Sequence, residues 1–419
     1  MIKRVAILNG RIIDPNRGID AIKDLFLEDG VIVEQLLDHA DEIIDAKGLW
    51  VVPGLIDAHV HLREPGFEYK ETIATGLAAA AAGGFAWVMP MPNTNPVTDT
   101  VDVFKAIIDK ANNLGGTKVL PVPAITTGRA GKELVDMEAL VQVGATAFSD
   151  DGSGLEDDAL MKRALKEAAR LKVVIAQHSE VAKISAGGVV HKGTVARDLD
   201  LPGWDVAAEE TMIARDIELV RQTGGALHVS HISTAKAIEL VRKAKKEGLL
   251  VTAEVTPHHL HLTDELIRSG STLAKVNPPL RPSIHVEACR AALADGTIDI
   301  VATDHAPHST KDKEGGFKKA AFGMVGLEIA VPTLLSLVES NVLTPLRMIE
   351  AMSYAPAKIF KLAAGTLSPG APANVTIINP TDSHKIDASL FKSKGKNTPF
   401  NNFKVPGRTV KTIIAGKII

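Results

Sequence analysis

Two textures of hydrophobic and polar positions divide this chain. In its long middle part, short apolar runs at residues 55–61, 85–91, 119–125, 145–149, 173–178, 226–231, 251–255 and 298–303 alternate with helical stretches. Among the latter are 71–82, 157–171, 207–223 and 235–246. Strands alternating with helices predict right-handed βαβ units and a parallel sheet. Eight strands are the number that closes a barrel, so the expected class is α/β with a (β/α)8 TIM barrel. The two ends read differently. Short β-like runs at 4–8, 11–13, 25–27 and 31–33 are separated by turn signals at Asn9-Gly10 and Asp29-Gly30, and the same texture returns at 373–378 and 409–414, with a turn at Ala415-Gly416. The expectation is one small β-sandwich-like domain made from residues 1–52 and 366–419, with the barrel of residues 53–365 inserted into it.

The polar residues at the ends of the middle runs add chemistry to this outline. In such barrels the reaction sits where strands pass into the following loops. His59 and His61 end the first run on one face, Val60 faces the other way, and Arg63 stands two residues on. Asn93, Asp151, His178, His231 and Asp304 occupy the corresponding places on later runs. Taken singly, each has a plainer account as a hydrogen-bonded core histidine or a helix cap. Jointly, four histidines and two aspartates at the ends of successive strands supply enough ligands for two divalent ions, with positions left for a bridging water and a substrate.

Composition narrows the partners. The chain of 419 residues is 45% hydrophobic and 23% charged, with a formal net charge of -3, an ordinary balance for a large globular core. Neither nucleic acid nor an anionic membrane is an expected partner of so neutral a chain. The single cysteine, Cys289, excludes an intramolecular disulfide framework and fits a reducing compartment. No apolar stretch reaches the roughly 18 to 20 residues of a membrane span, and the first apolar run is too short for a signal peptide, so the expected location is cytoplasmic.

The stretches Asp57-Ala58-His59-Val60-His61-Leu62-Arg63-Glu64-Pro65-Gly66, Met91-Pro92-Asn93-Thr94-Asn95-Pro96, Glu254-Val255-Thr256-Pro257-His258-His259, Asn277-Pro278-Pro279-Leu280-Arg281 and Ala302-Thr303-Asp304-His305-Ala306-Pro307-His308 resemble the amidohydrolase superfamily, and more narrowly the class I dihydroorotase family. The resemblance runs from about residue 4 to the stretch Gly395-Lys396-Asn397-Thr398-Pro399-Phe400. It implies two zinc ions per chain held by His59, His61, Asp151, His178, His231 and Asp304, with Asp151 shared between them. It also implies substrate contacts from His61, Arg63, Asn93, Asn277 and His308 and from the backbone of Phe322 and Gly323. The implied reaction is the reversible interconversion of dihydroorotate and N-carbamoyl-aspartate in pyrimidine biosynthesis. A homodimer, or an association with aspartate carbamoyltransferase, is compatible with that reading. The chemistry of the residues agrees with it. A guanidinium with an amide is a clamp for the substrate carboxylate, a divalent ion can polarise a ring amide near neutral pH, and Asp304 is placed to carry the proton to the leaving nitrogen.

Rival readings stay within reach. Hydantoinases and allantoinases resemble this chain too, but they typically bridge their ions with a carboxylated lysine after the fourth strand. Here that place reads Phe148-Ser149-Asp150-Asp151-Gly152, and no lysine lies between Lys132 and Lys162. A carboxylate must therefore bridge; the family pattern points to Asp151, and alternation sends Asp150 the other way. A catalytically silent scaffold for a pathway partner is a further alternative, which the retention of all six ligand residues disfavours. Ala86-Trp87 and Ala321 depart from the family pattern without touching a proposed ligand. His258, His259 and His261 follow the seventh strand as candidates for further ligands, but with the metal shell complete without them they read as supports behind it or structural residues. The polar loop 309–321, with Gly315-Gly316 in its middle, is either a plain solvated loop or a lid, and its position favours the lid.

Overall fold

The computed structural model describes residues 3–419, so that Met1 and Ile2 of the N-terminal segment lie outside the described residues. All eight middle runs form strands: Leu55–Val60, Phe85–Pro90, Lys118–Val119, Ala147–Phe148, Val174–Gln177, Ala226–Val229, Val251–Val255 and Ile300–Val301. They pair in parallel and in sequence order, the first three in one sheet and the last five in another. Single contacts span the gaps between the sheets. His61 N–H donates to the His305 carbonyl (2.8 Å), and Ser149 N–H donates to the Pro123 carbonyl (2.9 Å). The third strand is shorter than its apolar run because Pro121 and Pro123 have no N–H for a ladder.

Helices follow the strands where helical spacing placed them. Ile73–Gly83 is capped by Thr72, Asp158–Leu171 by Asp157 and Ala235–Lys246 by Thr234, each side chain accepting from a backbone N–H of the first turn. Ala207–Thr223 ends at Gly224, whose φ of 69° suits a residue without a Cβ. Neighbouring strand residues divide between two packing clusters, as alternation requires. Val88, Phe148, Ile175 and Val301 join the helices in the large core. Met89, Ala147, Val174 and Ile300 gather with Ala58, Val122 and Phe360 in a smaller cluster. The same alternation carries that second face up to the site: Asn93, Asp151, His178 and Asp304 each lie four residues beyond a member of this cluster.

The chain ends meet in one mixed eight-stranded sheet. Arg4–Asp14 pairs with Ile19–Glu28, Glu42–Asp45 and Trp50–Pro53, and the last of these pairs with Val375–Asn379, which joins Arg408–Ile414. Its apolar residues, among them Ile7, Leu27, Val51, Val375 and Ile413, form a cluster separate from the large core. The expected turn at Asn9-Gly10 is instead a bulge inside one continuous strand, where the register shifts between Ile7 and Gly10. Asn9 alone adopts a positive φ there, at 62°, whereas the type I′ hairpin turn that an Asn-Gly pair favours needs two such residues in succession. Asp29-Gly30 (φ 49° and 79°) and Ala415-Gly416 (48° and 76°) meet that requirement and do reverse the chain. No helix among the described residues is long and apolar enough to cross a membrane.

Candidate metal centre and substrate cavity

Asp151 stands between two sets of imidazoles. Its Oδ1 lies 3.2 Å from His59 Nε2, 3.5 Å from His178 Nδ1 and 3.7 Å from His231 Nε2, while its Oδ2 lies 3.6 Å from His61 Nε2. Two groups of potential ligands result, His59 with His61 and Asp151, and Asp151 with His178 and His231; within each, the ligand atoms fall within 4.8 Å of one another. Asp304 reaches the first group through His61, with Oδ1 at 2.9 Å from His61 Nε2 and 3.7 Å from His59 Nε2. Asp150 turns away. Its carboxylate accepts from the backbone N–H of Ile125 (2.8 Å) and Thr126 (3.0 Å) and from the Thr126 hydroxyl.

The outer nitrogens of three imidazoles are held from behind. His59 Nδ1 meets Glu254 Oε1 at 2.6 Å, His61 Nδ1 meets Asn93 Oδ1 at 2.8 Å and His178 Nε2 meets Glu180 Oε2 at 2.9 Å. Each acceptor holds the N–H of the outer nitrogen, so that the nitrogen facing the centre is the one that can give up its proton to a cation, the arrangement a metal-ligating histidine needs. At that centre His59 Nε2 and Asp151 Oδ1 are buried and make no hydrogen bond, even to each other. Buried polar atoms are rarely left so. Charge points the same way. Burial opposes ionisation of both aspartates, yet the neighbouring imidazoles hold Asp151 well below the usual carboxylate range and Asp304 at about 2. Against burial, Asp151 and Glu254 raise His59 well above its ordinary value, and Asp151 and Glu180 raise His178 to about 9. His61 goes the other way, lowered by burial and by Arg63. The residues present therefore fit a divalent cation, which supplies positive charge where these carboxylates attract it.

Beside this centre opens a cavity of about 250 Å³. Every residue expected to hold metal or substrate lines it except His59, which lies behind. Arg63 Nε donates to the Pro307 carbonyl (3.2 Å), and its Nη2 lies 3.3 Å from His308 Nε2. Among the described residues no carboxylate pairs with this guanidinium, so it is available to an anion. His308 Nε2–H donates to the Phe322 carbonyl (2.8 Å); burial and the charges of Arg63 and Lys70 push its pKa down to about 2, keeping the ring neutral. Asn277 Nδ2 donates to Glu180 Oε2 (3.0 Å). Gly323 has a φ of 121°, and a Cβ there would stand 2.6 Å from the Ala306 Cβ, so only glycine fits.

Three residues of the site carry a backbone conformation that L-residues avoid. Arg63 has φ 63°, His231 33° and Asp304 46°. Each costs about 1–3 kcal/mol, and such strain concentrates where side-chain aim matters more than stability.

Residues 48–237 match the model of a family described as Dihydro-orotase-like. A dihydroorotase from Pelotomaculum thermopropionicum is 48% identical over 99% of this chain and 98% of its own length. The chain belongs to the dihydroorotase family. A second relative, from Syntrophus aciditrophicus, is 43% identical over 99% of both. In architecture the chain is similar to an L-hydantoinase (dihydropyrimidinase) from Arthrobacter aurescens, with a TM-score of 0.88, 27% identity and coverage of 100% of this chain and 96% of that one.

Within this dihydroorotase-family site, neither Glu180 nor Glu254 had a role assigned from sequence, although Glu254 opens one of the stretches that carry the resemblance. Glu254 also accepts from His231 N–H (3.2 Å) and lies 3.1 Å from His228 Nε2, so that one carboxylate braces three histidines. A signal was present. Glu254 is the one charged residue in the strand Val251–Val255, a place where a carboxylate is buried only with partners. The structure keeps His258, His259 and His261 out of both ligand groups. His259 instead ties its helix to the chain through Thr256 and the Pro278 carbonyl.

Proposed function

We propose that this chain interconverts dihydroorotate and N-carbamoyl-aspartate, as a binuclear zinc hydrolase of a cyclic amide bond. The observation that carries this reading is the single carboxylate of Asp151 shared by two groups of inward-turned imidazoles, beside the Arg63 guanidinium, which pairs with no carboxylate among the described residues. His59, His61 and Asp304 would hold one ion and His178 and His231 the other, with Asp151 between them. Bound there, the ions would polarise the ring amide and make water a nucleophile near neutral pH. The chain's own groups do the rest. Arg63 takes the substrate carboxylate as a charge-assisted pair, with Asn93 and Asn277 presenting amides to the same cavity. Asp304, ionised because its pKa is held at about 2, accepts a proton at its carboxylate and returns it to the ring nitrogen as that leaves. His308, Phe322 and Gly323 wall the far side of the cavity and orient the ring.

The same reading closes the two parallel sheets into one (β/α)8 barrel over residues 53–365. Its support is the cluster to which six of the eight runs contribute, Ala58, Met89, Val122, Ala147, Val174 and Ile300. Residues 1–52 and 366–419 would form the small β domain. Turnover of dihydroorotate by the purified chain, with hydantoin and allantoin as controls and elemental analysis for zinc, tests the proposal. Hydrolysis of hydantoin in preference to dihydroorotate would overturn it in favour of the activity named for the Arthrobacter structure.

A further inference from the structure

Behind Phe322 and Gly323, which line the cavity, two lysines are buried without a carboxylate partner among the described residues. Lys275 is 3% exposed and Lys313 5%. Lys313 Nζ donates to the carbonyls of Ala321 (2.7 Å), Gly323 (2.9 Å) and Lys275 (3.2 Å), using all three of its donors. Lys275 Nζ donates to the carbonyls of Phe317 and Ala320 (2.7 Å) and sits 4.2 Å from the centroid of the Phe322 ring. Between them, two ammonium groups occupy four carbonyls of the loop 309–323. Gly323 N–H returns the link by donating to the Lys275 carbonyl (2.9 Å), and the Thr272 hydroxyl bonds the Lys313 carbonyl.

Beyond the short 3-10 turn Lys311–Lys313 this loop has no regular structure to absorb its backbone polar groups, and a buried carbonyl without a donor is costly. Burying an ammonium is costly too. Burial alone lowers Lys275 to about 8, and burial with the charge of Lys275 lowers Lys313 to about 7 against the pull of Asp312. A methionine of similar length would avoid that cost but leave the carbonyls of Phe317, Ala320 and Ala321 bare, while the Gly323 carbonyl would keep Asn397 Nδ2 (3.1 Å) as a donor. The carbonyls concerned lead directly into Phe322 and Gly323, which face the cavity, and the Phe322 carbonyl in turn holds His308 Nε2–H (2.8 Å).

We propose that Lys275 and Lys313 are positioning residues, whose ammonium groups clamp the backbone of 309–323 so that Phe322, Gly323 and His308 stand ready for the substrate. This deepens the reading that the cavity binds dihydroorotate and rests on it. The clamp acts on binding geometry and leaves the proton transfer to Asp304.

The test uses the full-length, metal-loaded chain as Lys313→Met and Lys275→Met. Each is expected to raise KM for dihydroorotate about tenfold or more while kcat stays within about threefold, the pattern of lost ground-state binding. Amide exchange across 309–323, measured without substrate, should speed up about tenfold in both. The double variant should raise KM by less than the product of the two, since both clamps hold one loop. An unchanged KM with the loss confined to kcat or to the thermal midpoint would overturn the proposal, as would unchanged exchange in folded variants. Failure of both variants to fold would also overturn it, by making the lysines structural. Wild-type turnover of dihydroorotate decides the functional reading separately, because the exchange measurement involves no substrate.

Discussion

The two walls of the cavity solve the problem of buried charge in opposite ways. On the histidine wall, carboxylates at 151, 180, 254 and 304 brace imidazoles, and the cluster favours a cation at its centre. On the loop wall, ammonium groups at 275 and 313 brace carbonyls, and Arg63, which reaches from the end of the first strand to the Pro307 carbonyl and His308, has no carboxylate partner among the described residues. The first wall stands on strand ends fixed by ladders, and the second is an irregular segment held by side chains. The difference teaches how one small cavity can take a metal on one side and an anion on the other without the two sets of charges cancelling.

The strongest way to break this contrast is to remove the shared carboxylate. Asp151→Ala should strip metal from both positions and lower turnover by on the order of 10⁴ or more, whereas Asp150→Ala should leave metal content largely unchanged. Elemental analysis showing the reverse would mean that the other aspartate bridges. Asp304→Asn separates holding from proton transfer: an amide oxygen still offers a lone pair but accepts no proton at neutral pH. It should retain most of its metal while losing roughly 10² to 10⁴ in rate in both directions. Steady-state rates within a few-fold of wild type in a metal-replete variant would reduce Asp304 to a ligand. Where the first strand's end meets the loop, Arg63→Met should cost about 3 kcal/mol, or roughly 10²-fold, in kcat/KM with metal content intact. Near-normal turnover of dihydroorotate would remove the carboxylate clamp. The smallest effect is expected behind the ligands, where Glu254→Gln should weaken metal affinity by about 10- to 100-fold, read by competition with a chelator. Unchanged affinity would show that the tautomer of His59 needs no carboxylate to fix it.

Much of this architecture could be read in the sequence because alternation and helical spacing are strong over its middle part. The eight runs and the four helices stand where the pattern put them, and alternation sent Asp150 and Asp151 to opposite sides. What escaped has physical causes. The bulge at Asn9 depends on one dihedral angle, and a turn dipeptide alone does not distinguish it from a hairpin. The third strand was shortened by prolines inside an apolar run. Glu254, Lys275 and Lys313 carry charges that ordinarily mark exposed surface, and only their distant partners, up to 195 residues away for Glu254 and His59, make burial tolerable.

The left-handed backbone at Arg63, His231 and Asp304 carries a consequence for how such a chain would evolve under heat. Glycine or asparagine at any of the three would relieve a left-handed torsion, glycine giving part of that gain back as unfolded-chain entropy. Selection for thermal endurance alone would accept those exchanges and lose, at each, a guanidinium, an imidazole or a carboxylate that faces the cavity. Activity and heat resistance are therefore in direct competition at these positions, and an ancestor or engineered variant gains endurance without loss only by changing residues elsewhere.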